Sequence, residues 1–338
     1  MPKLCRWMAG LLLLALGMLP GELRAAEPGS PPLVLERTIP LPGVSGRIDH
    51  MAVDLRRGRL LVAELGNGTV EAIDLATGKV VHRVSGLKEP QGVGYAPREN
   101  LIAVASAGDG SVRLFRGDDL ASVGTVPLGD DADNVRLDMR ANRFVVGYGS
   151  GGLATLDPAT RSIMGRVKLP AHPEGFQLDP SASRAYVNVP DAGQIAVVDL
   201  AIGKQLASWR VPGLRANFPM ALDGAGAVLA TAFRHPARLV LWDTKNGNVM
   251  ANLATCDDAD DVFFDTKRRR VIVSCGDGTI DVLQQSQDAA DYRLLARIPT
   301  QSGARTSLLV PELDRLFVAA PAGLLGSNAA ILVFRPEP

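Results

Sequence analysis

The sequence predicts an all-β protein folded as a seven-bladed β-propeller, and three observations lead to this fold class. Short apolar strands that end in an acidic or turn residue recur with steps of 42, 42, 41, 44, 42 and 46 residues. The seven marker residues at these strand ends are Asp54, Ala96, Asp138, Asp179, Asp223, Asp265 and Pro311. A regular period of this length is typical of propellers, in which each repeat forms one four-stranded blade. The 35 Gly and 23 Pro suit many tight turns, and the last repeat lacks a strand that the N-terminus can supply.

The first full repeat, residues 46–86, contains the four strands expected of one blade. From the innermost to the outermost, these strands are residues 51–54, 59–63, 69–73 and 80–84. The second strand is mostly apolar, as expected of a buried strand, and the third alternates between apolar and polar residues. Asn67-Gly68 stands between them, where glycine supplies the positive φ of a tight turn.

The turn between the third and fourth strands repeats with an aspartate at its start. The four examples are Asp74, Asp157, Asp199 and Asp243. An aspartate that opens a turn accepts hydrogen bonds from the backbone that follows it, and a glycine further on takes the left-handed conformation. We therefore interpret these aspartates as structural rather than catalytic.

The last repeat supplies only three strands before the chain ends at Pro338. These are residues 307–310, 313–319 and 329–334. At the other end of the chain, residues 35–41 resemble the outer strands of other repeats. We predict that this N-terminal strand completes the seventh blade and closes the ring, because an open ring would expose two sheet edges. Residues 26–338 then form a single seven-bladed domain.

The first 25 residues are typical of a signal peptide. Lys3 and Arg6 precede an apolar run over residues 8–19, and residues 23–26 offer a small-residue cleavage site after Ala25. The run is short for a membrane span, although an uncleaved anchor is the alternative. The sequence thus predicts a periplasmic or secreted protein with no membrane span after cleavage.

The composition of residues 26–338 argues against nucleic acid as a partner. This part of the chain carries 33 basic and 35 acidic side chains, a net charge of −2, and shows no basic stripe with interleaved aromatic residues. Cys256 and Cys275 remain after processing, and the repeat register places both at the same rim. The sequence leaves open whether they form a disulfide or remain two free thiols. No Cys-x-x-Cys-His sequence for attached haem is present, and we expect a monomer.

One repeat carries a resemblance to a known family. Residues 60–82, LLVAELGNGTVEAIDLATGKVVH, resemble the YVTN repeat of bacterial surface-layer and YncE-like periplasmic propellers, and residues 186–199 are the closest copy. Asn188 and Val189 depart from the motif. The resemblance covers residues 26–338 and implies a binding or docking protein, while the single-stranded DNA binding suggested for YncE-like members is not carried over. Trp242-Asp243 resembles the dipeptide of WD repeats, but its Gly-His companion is absent, so we interpret Trp242 as core.

The loops that enter the innermost strands predict a polar funnel at one end of the central channel. Five residues before each marker stand Asp49, Gln91, Asp133, Glu174, Phe218, Asp260 and Thr306. One residue later stand His50, Gly92, Asn134, Gly175, Pro219, Asp261 and Ser307. The entering loops add Asp130, Asp131, His172, Asp257, Asp258 and Arg305. Carboxylates that converge on one axis repel each other unless a divalent cation, Arg305 or a cationic ligand joins them. The simpler alternative is that these side chains face channel water.

A metal site is one hypothesis for this funnel. The candidate ligands are Asp49, Asp133, Asn134, Glu174 and Asp260, and oxygen ligands of this kind favour calcium or magnesium. His50 and His172 are the candidates for proton transfer because each has a nearby carboxylate. No third group completes a relay with either one, so we favour a positioning role for both.

The preferred functional hypothesis is a non-catalytic binding or scaffold protein. Its partner, an unknown protein or small-molecule ligand, would engage the central funnel and the rim loops. The reason is that the sequence contains no complete catalytic constellation. The alternative is a metal-dependent lactonase-like hydrolase, in which a cation at the channel mouth polarises a lactone carbonyl. A third possibility is that the protein is an accessory protein that assists an exported oxidoreductase.

Overall fold

Each repeat of the sequence folds as one antiparallel four-stranded sheet, and seven such sheets form the described part of the chain. The fold is seen in a computed structural model that describes residues 30–287, 291–323 and 328–338. The predicted signal peptide lies outside the described residues. Pro31–Pro338 form one compact unit. The seven-bladed all-β fold predicted from the sequence is confirmed.

The strands are numbered in chain order, and the blades follow the repeats. β1 (Leu33–Pro40) is the outer strand of blade 7. Blade 1 contains β2 (Met51–Asp54), β3 (Arg59–Glu64), β4 (Thr69–Asp74) and β5 (Lys79–Ser85). Blade 2 contains β6 (Pro90–Ala96), β7 (Leu101–Ser106), β8 (Ser111–Arg116) and β9 (Ser122–Pro127). Blade 3 contains β10 (Ala132–Asp138), β11 (Arg143–Tyr148), β12 (Gly152–Asp157) and β13 (Ser162–Lys168).

The remaining blades have the same order. Blade 4 contains β14 (Phe176–Leu178), β15 (Arg184–Val189), β16 (Gln194–Asp199) and β17 (Lys204–Trp209). Blade 5 contains β18 (Arg215–Leu222), β19 (Val228–His235), β20 (Ala237–Asp243) and β21 (Val249–Ala254). Blade 6 contains β22 (Ala259–Asp265), β23 (Arg270–Cys275), β24 (Thr279–Gln285) and β25 (Tyr292–Pro299). Blade 7 contains β26 (Ser307–Val310), β27 (Arg315–Ala320) and β28 (Ala330–Pro336), with β1 outside them.

The helical content of the described residues is limited to single 3₁₀ turns. These are Leu65–Asn67, Ala107–Asp109, Pro190–Ala192 and Pro311–Leu313. None of the helices in the described ranges has the length and hydropathy needed to span a bilayer.

The marker residues identify the innermost strands. Four of them are the last residue of such a strand, and the other three, Asp179, Asp223 and Pro311, follow the strand directly. The agreement arises because each innermost strand must turn sharply into the second strand at the same height in the ring. Acidic and turn-forming residues are favoured at such positions.

The N-terminal strand closes the ring as predicted. β1 pairs with β28 in antiparallel register, with Leu33 opposite Pro336 and Ile39 opposite Ile331. It begins two residues earlier than the sequence indicated. Ile39 packs into the cluster between blades 7 and 1, and Leu33 packs into the cluster between blades 6 and 7. The closing strand therefore contributes to the interfaces on both sides of its own blade.

The apolar core lies between the blades. In the described residues there are seven buried clusters, one between each pair of neighbouring blades. Trp242 is an example: it is buried with Tyr186, and its ring stacks on Trp209 with centroids 5.9 Å apart. The interpretation of Trp242 as core is confirmed.

The turn aspartates are structural, as expected. In each case the Oδ1 atom accepts a backbone N–H bond two or three residues later, from Thr77 at 2.7 Å and from Ala159, Ala201 and Lys245 at 2.8 Å. Gly78, Gly203 and Gly247 take the left-handed conformation at the end of three of these turns. The four carboxylates are thus committed to the backbone.

A disulfide ties one entering loop to its blade. Cys256 precedes β22 and Cys275 ends β23, and their sulfur atoms are bonded across a Cα–Cα distance of 5.9 Å. Because Cys275 also pairs with Ala259 in the sheet, the bridge holds the loop against the start of the innermost strand of blade 6.

The closing strand offers a direct test of the fold. Replacing Ile39 by Ala should lower the free energy of unfolding by about 2–5 kcal/mol, because it leaves a cavity in a fully buried cluster. Leu35→Ala in the same strand is the control, since Leu35 is 50% exposed, and it should cost less than about 1 kcal/mol. Denaturant unfolding measures both. Equal losses in the two variants would contradict the burial assigned to β1.

Candidate functional site

The innermost strands all begin at one end of the ring, and we call this end the funnel mouth. It consists of the loops that enter these strands and their first residues. Charged side chains become less exposed from the rim inwards: the exposed fraction is 44% for Arg47, 39% for Asp258, 7% for Asp133 and 0% for Asp49. The predicted polar funnel therefore has an exposed rim and a buried floor.

The entering loops share a backbone feature that aims these side chains. The residue seven positions before the marker is left-handed in four blades, with φ of +49° at Glu89, +38° at Asp131, +59° at Ala216 and +56° at Asp258. This conformation is uncommon for residues other than Gly, Asn and Asp. It turns the chain into the innermost strand, so that the residues after it enter the channel together.

Two arginines hold two carboxylates on one side of the mouth. Arg305 lies 2.7 Å from Asp258 Oδ2 through Nη1 and 3.0 Å from Asp260 Oδ2 through Nε. Arg234 lies 2.6 Å from Asp260 Oδ1 and 3.2 Å from Asp258 Oδ1. The Arg234 guanidinium also stacks 4.0 Å above the ring of Phe218. This contact explains why Phe218 stands among polar residues at the position five before the marker, because an aromatic face stabilises the cation beside it.

Arg234 was not predicted as a site residue. It lies in β19, the second strand of blade 5. The predicted site residues all lie in the loops that enter the innermost strands or among the first residues of those strands. The position of Arg234 near the end of the strand at the mouth was the signal that could have identified it. Arg305 was predicted as a possible partner of the carboxylates, and the structure places it on two of them.

His172 is held as an imidazolium on another side of the mouth. Its Nδ1 donates to the carbonyl oxygen of Gly149 at 2.6 Å and lies 3.4 Å from Asp131 Oδ2, while its Nε2 lies 3.6 Å from Asp133 Oδ2. Burial alone would lower the pKa of His172, but the interaction with the Asp133 carboxylate and the hydrogen bond to Gly149 outweigh it and raise the pKa to about 9. At neutral pH His172 is therefore a proton donor to fixed partners and is unsuited to act as a general base.

His50 links blade 1 to blade 3. Its Nε2 lies 3.0 Å from the Asn134 side-chain amide and 3.7 Å from Asp49 Oδ1. Burial opposes the charged form, but Asp49, Asp261 and Asp133 together raise the pKa of His50. The nitrogen of the Asn134 amide makes this contact, so its Oδ1 atom is not engaged by His50.

Gly92, in the blade between them, makes the approach of blade 3 possible. A Cβ atom at this position would lie 2.2 Å from the backbone oxygen of Asp133 and 2.8 Å from the backbone nitrogen of Val135. Both neighbours are backbone atoms of an innermost strand and have little freedom to move. Gly92 thus has a packing role, because the absence of a side chain lets blade 3 approach.

The floor of the mouth contains two buried carboxyls and a half-buried arginine. Burial raises the pKa of Asp49, although His50 and Arg47 act in the opposite direction. Burial also raises the pKa of Asp261 to about 7, despite His50 and a 2.7 Å hydrogen bond from the Ser307 backbone. Arg136 lies beside them, and desolvation lowers its pKa. Arg136 was not predicted as a site residue, because it stands two residues before its marker rather than five or four.

Several buried acceptors here receive no hydrogen bond from any described residue. They include both carboxylate oxygens of Asp49 and the Oδ1 atom of Asn134. Arg47 Nη2 does lie 2.9 Å from Asp49 Oδ2, but this contact is an ion pair whose angle does not suit a hydrogen bond. The floor therefore has more acceptors than donors.

Glu174 is the uncommitted carboxyl of the site. It stands just before β14, and among the described residues its side chain forms no hydrogen bond or ion pair. Burial, followed by the nearby Asp133, raises the pKa of Glu174 to about 7, while His172 acts in the opposite direction. Near neutral pH this carboxyl is about half protonated and is available to a ligand.

A cavity of about 20 Å³ lies between these groups. The predicted residues that line it are His50, Asp133, Asn134, Glu174, Asp260 and Asp261. A volume of this size holds about one water molecule. Asp49, His172 and Arg305 lie beside the lining residues as their charged partners, and Gln91 in β6 does not line the cavity.

The structure distributes the predicted metal ligands among other partners. Asp49 faces Arg47, Asp133 faces His172, and Asp260 faces two arginines. Within the described ranges, no group of three or more His, Cys, Asp or Glu side chains is arranged to hold a metal ion. Protein cations therefore compensate most of the acidic field, and the calcium or magnesium site stays a prediction.

The chain matches no family model and no curated protein sequence. Among solved structures it is similar to a chain of hydrazine synthase from Kuenenia stuttgartiensis, with a TM-score of 0.74 and 15% identity over 85% of this chain and 96% of that one. It is also similar to a chain in the crystal structure of a mitotic checkpoint complex, with a TM-score of 0.76 and 14% identity over 99% of both chains. At these identities the likeness shows a WD40-like propeller fold and nothing about activity.

The charge on His172 can be measured directly. Its ring resonances should titrate with a midpoint near pH 9, since its partners stabilise the imidazolium. Asp133→Asn should lower that midpoint by about one pH unit or more, because a neutral amide replaces a facing carboxylate. NMR titration of the ring protons measures both values, and His172→Gln assigns the signal. Titration of all four histidines between pH 6 and 7 would contradict this geometry.

Glu174 should make stability fall as the pH rises. Its raised pKa means that the folded state holds a proton that the unfolded state has lost, between about pH 4.5 and pH 7. Stability from this group is therefore complete below pH 4.5 and is lost as the pH rises through 7. Glu174→Gln removes the effect, so its stability relative to the native chain should rise by roughly 3 kcal/mol between pH 4.5 and pH 8.

Melting curves across this pH range test the expectation. Glu312→Gln is the matched control, because Glu312 is an exposed glutamate in blade 7 away from the mouth. A stability difference for Glu174→Gln that does not change with pH would show that Glu174 ionises as an exposed carboxyl does.

Proposed function

We propose that the protein is an exported, non-catalytic binding or scaffold protein that engages its partner through the funnel mouth. The observation that carries the proposal is the set of acceptors at the floor, Asp49 and Asn134, that lack donors within the described chain, together with the uncommitted Glu174. A buried acceptor without a donor costs about 1–3 kcal/mol. A donor supplied by a partner recovers that free energy, and this is a driving force for binding.

The chemistry of the mouth indicates what the partner presents. The floor offers carboxylate and amide oxygens, so the complementary group is a hydrogen-bond donor, and a cationic one is favoured by Glu174 and Asp49. The cavity of about 20 Å³ admits a group the size of one water molecule. A side-chain ammonium at the tip of a protein segment fits these limits better than a whole metabolite does.

Two further observations support export and the YncE-like relationship. The Cys256–Cys275 disulfide suits an oxidising compartment, and the first 25 residues have the pattern of a signal peptide. The WD40-like propeller agrees with the resemblance to the YVTN repeat. Members of that family are mostly binding or docking proteins, in keeping with a mouth in which His172 keeps its proton among fixed partners.

The lactonase-like alternative rests on one observation, the free carboxyl of Glu174. A cation beside Glu174 and Asn134 would polarise a substrate carbonyl. Against it, Asp133 and Asp260 face His172 and arginines, and the cavity has no space for a lactone. Binding of a partner group therefore accounts for more of the site than metal-dependent hydrolysis does.

A charge reversal at the mouth tests the binding proposal. Glu174→Lys should abolish at least one interaction, because it places an ammonium where the partner's donor would lie. The measurement is quantitative mass spectrometry of proteins cross-linked to the purified chain in an extract of cells that produce it naturally. Glu312→Lys makes the same change away from the mouth and should retain every partner. Retention of every partner by Glu174→Lys, with its melting temperature unchanged, would contradict the proposal.

The metal alternative has its own measurement. The protein is melted after EDTA treatment and again with calcium, magnesium, manganese or zinc added. A cation at about a hundred times its dissociation constant should raise the free energy of unfolding by about 2.7 kcal/mol. We expect no such rise. Stabilisation by one cation that is lost in Glu174→Gln would favour the hydrolase instead.

A further inference from the structure

A second surface lies on the face opposite the funnel mouth, where the turns between the first and second and the third and fourth strands emerge. It is a groove of about 330 Å³ between blades 3 and 4. Blade 3 lines it with residues of β11, β12 and β13 and of the turn after β10, and blade 4 lines it with the turn between β16 and β17. We call it the blade 3–4 groove. Its residues used below are Asp138, Arg140, Arg143, Met164, Arg166 and Ile202.

Large apolar side chains are exposed in and beside this groove. Met164 and Ile202 line it with exposed fractions of 51% and 60%, Met139 stands between two lining residues with 63%, and Leu206 follows in β17 of blade 4 with 53%. Single exposed apolar residues are ordinary on a protein surface, but a group of four on two adjacent blades is a mark of an interaction site. The flexible, polarisable methionine side chains suit a surface that adapts to a partner.

The same groove carries uncompensated positive charge. Arg143 is exposed, and within the described part of the chain its side chain forms no ion pair or hydrogen bond. The Arg166 guanidinium points away from the groove, to the blade 2 side of blade 3: it lies over the ring of Tyr148, 4.9 Å from its centroid, and donates weakly to the Leu128 carbonyl at 3.4 Å. No carboxylate pairs with Arg143 in the described residues. The Arg143 guanidinium is therefore available to an acceptor from outside.

Asp138, the acidic residue that lines the groove, does not neutralise its positive charge. The Oδ1 atom of Asp138 accepts the backbone N–H groups of Arg140 and Ala141, at 3.0 and 2.9 Å. Its other oxygen is 3.9 Å from the Arg140 guanidinium, which also donates to Ser183 at 3.1 Å. One carboxylate thus stands beside two arginines, Arg140 and Arg143, and the backbone of its own turn already occupies one of its oxygen atoms.

The equivalent groove between blades 7 and 1 is different, which shows that this feature is not a general consequence of the fold. That groove has a volume of about 530 Å³, and its arginines are occupied. Arg315 pairs with Glu36 at 2.9 Å, and Arg37 donates to the carbonyl oxygen atoms of Leu75 and Ala76 at 3.0 and 3.2 Å. Among the described residues of these two grooves, a free guanidinium beside an exposed methionine occurs only between blades 3 and 4, where Arg143 and Met164 both belong to blade 3.

We propose that the blade 3–4 groove binds an acidic segment of a partner protein that also carries large apolar side chains. A carboxylate of the segment would form paired hydrogen bonds with Arg143, since the guanidinium fork matches carboxylate geometry. Its apolar side chains would cover Met164 and Ile202. The chain's own N-terminal residues 1–29 do not meet this requirement, because Lys3, Arg6 and Arg24 exceed Glu22 and Glu27 in charge.

A peptide-display selection tests the proposal without knowledge of the natural partner. A random library of sixteen-residue peptides is selected on the native protein, and the enriched peptides are synthesised and titrated. We expect enrichment of Asp and Glu together with Leu, Met or Phe. Arg143→Glu and Ile202→Ser should each weaken binding of these peptides at least tenfold, and binding should fall as salt is raised.

Arg98→Glu is the matched control, because Arg98 stands two residues after its marker in blade 2, as Arg140 does in blade 3, and is exposed. It should leave affinity within twofold. All three variants alter exposed residues, and unchanged melting curves confirm that they fold. No enriched peptide, enrichment without acidic residues, or equal affinity for Arg143→Glu would overturn the proposal. So would a dimer that Arg143→Glu dissociates, or anionic vesicles bound in place of peptides, because each assigns the groove to another occupant.

Discussion

The pairing of β1 with β28 is the constraint on which the rest of the structure depends. A propeller buries its apolar surface between blades, so every blade needs a neighbour on both sides. Only closure gives blade 7 its fourth strand and brings it against blade 1, with Ile39 in the cluster between them. The strand joins the two ends of the chain, and its formation costs the entropy of closing the largest loop in the molecule. Burial in two clusters offsets that cost, and pairing removes the sheet edge that would otherwise associate with other chains.

Closure also creates the electrostatic problem at the mouth. Seven innermost strands start at the same height around one axis, so the residues that enter them are forced together whatever their charge. The protein compensates with cations from neighbouring blades: Arg305 and Arg234 hold Asp258 and Asp260, and His172 faces Asp133. Among the described residues Glu174 has no such partner, and burial raises its pKa to about 7. In a site of this kind most charged groups are already paired within the protein. Such a site suits recognition of a partner and leaves few groups free for catalysis.

The parts of this arrangement that are periodic could be predicted from the sequence, and the parts that depend on contacts between repeats could not. The marker residues located all seven innermost strands, and the similarity of residues 35–41 to other outer strands identified the closing strand. The mouth residues Asp49, Asp133 and Asp260 followed from the same register. Arg234 and Arg136 did not, because which second-strand or mid-strand residue reaches the axis depends on the twist and packing of blades. The contact of His50 with Asn134 joins residues 84 positions apart and depends on the missing side chain of Gly92. The blade 3–4 groove likewise needs the exposure of Met164 and Ile202, which the sequence pattern does not reveal.

The two surfaces differ in how they would gain affinity, and this difference gives the molecule the properties of a scaffold. At the mouth most charges already have partners, so a ligand gains by supplying donors to buried acceptors, and the interaction is short-range and weakly affected by salt. At the blade 3–4 groove the charges are exposed and free, so long-range attraction speeds encounter and apolar burial then slows release. The sites lie on opposite faces of rigid sheets and share no described residue. Free energies of binding at separate sites without shared partners are close to additive. One protein could therefore hold a cationic segment at the mouth and an acidic segment in the groove at the same time, and neither would compete with the other.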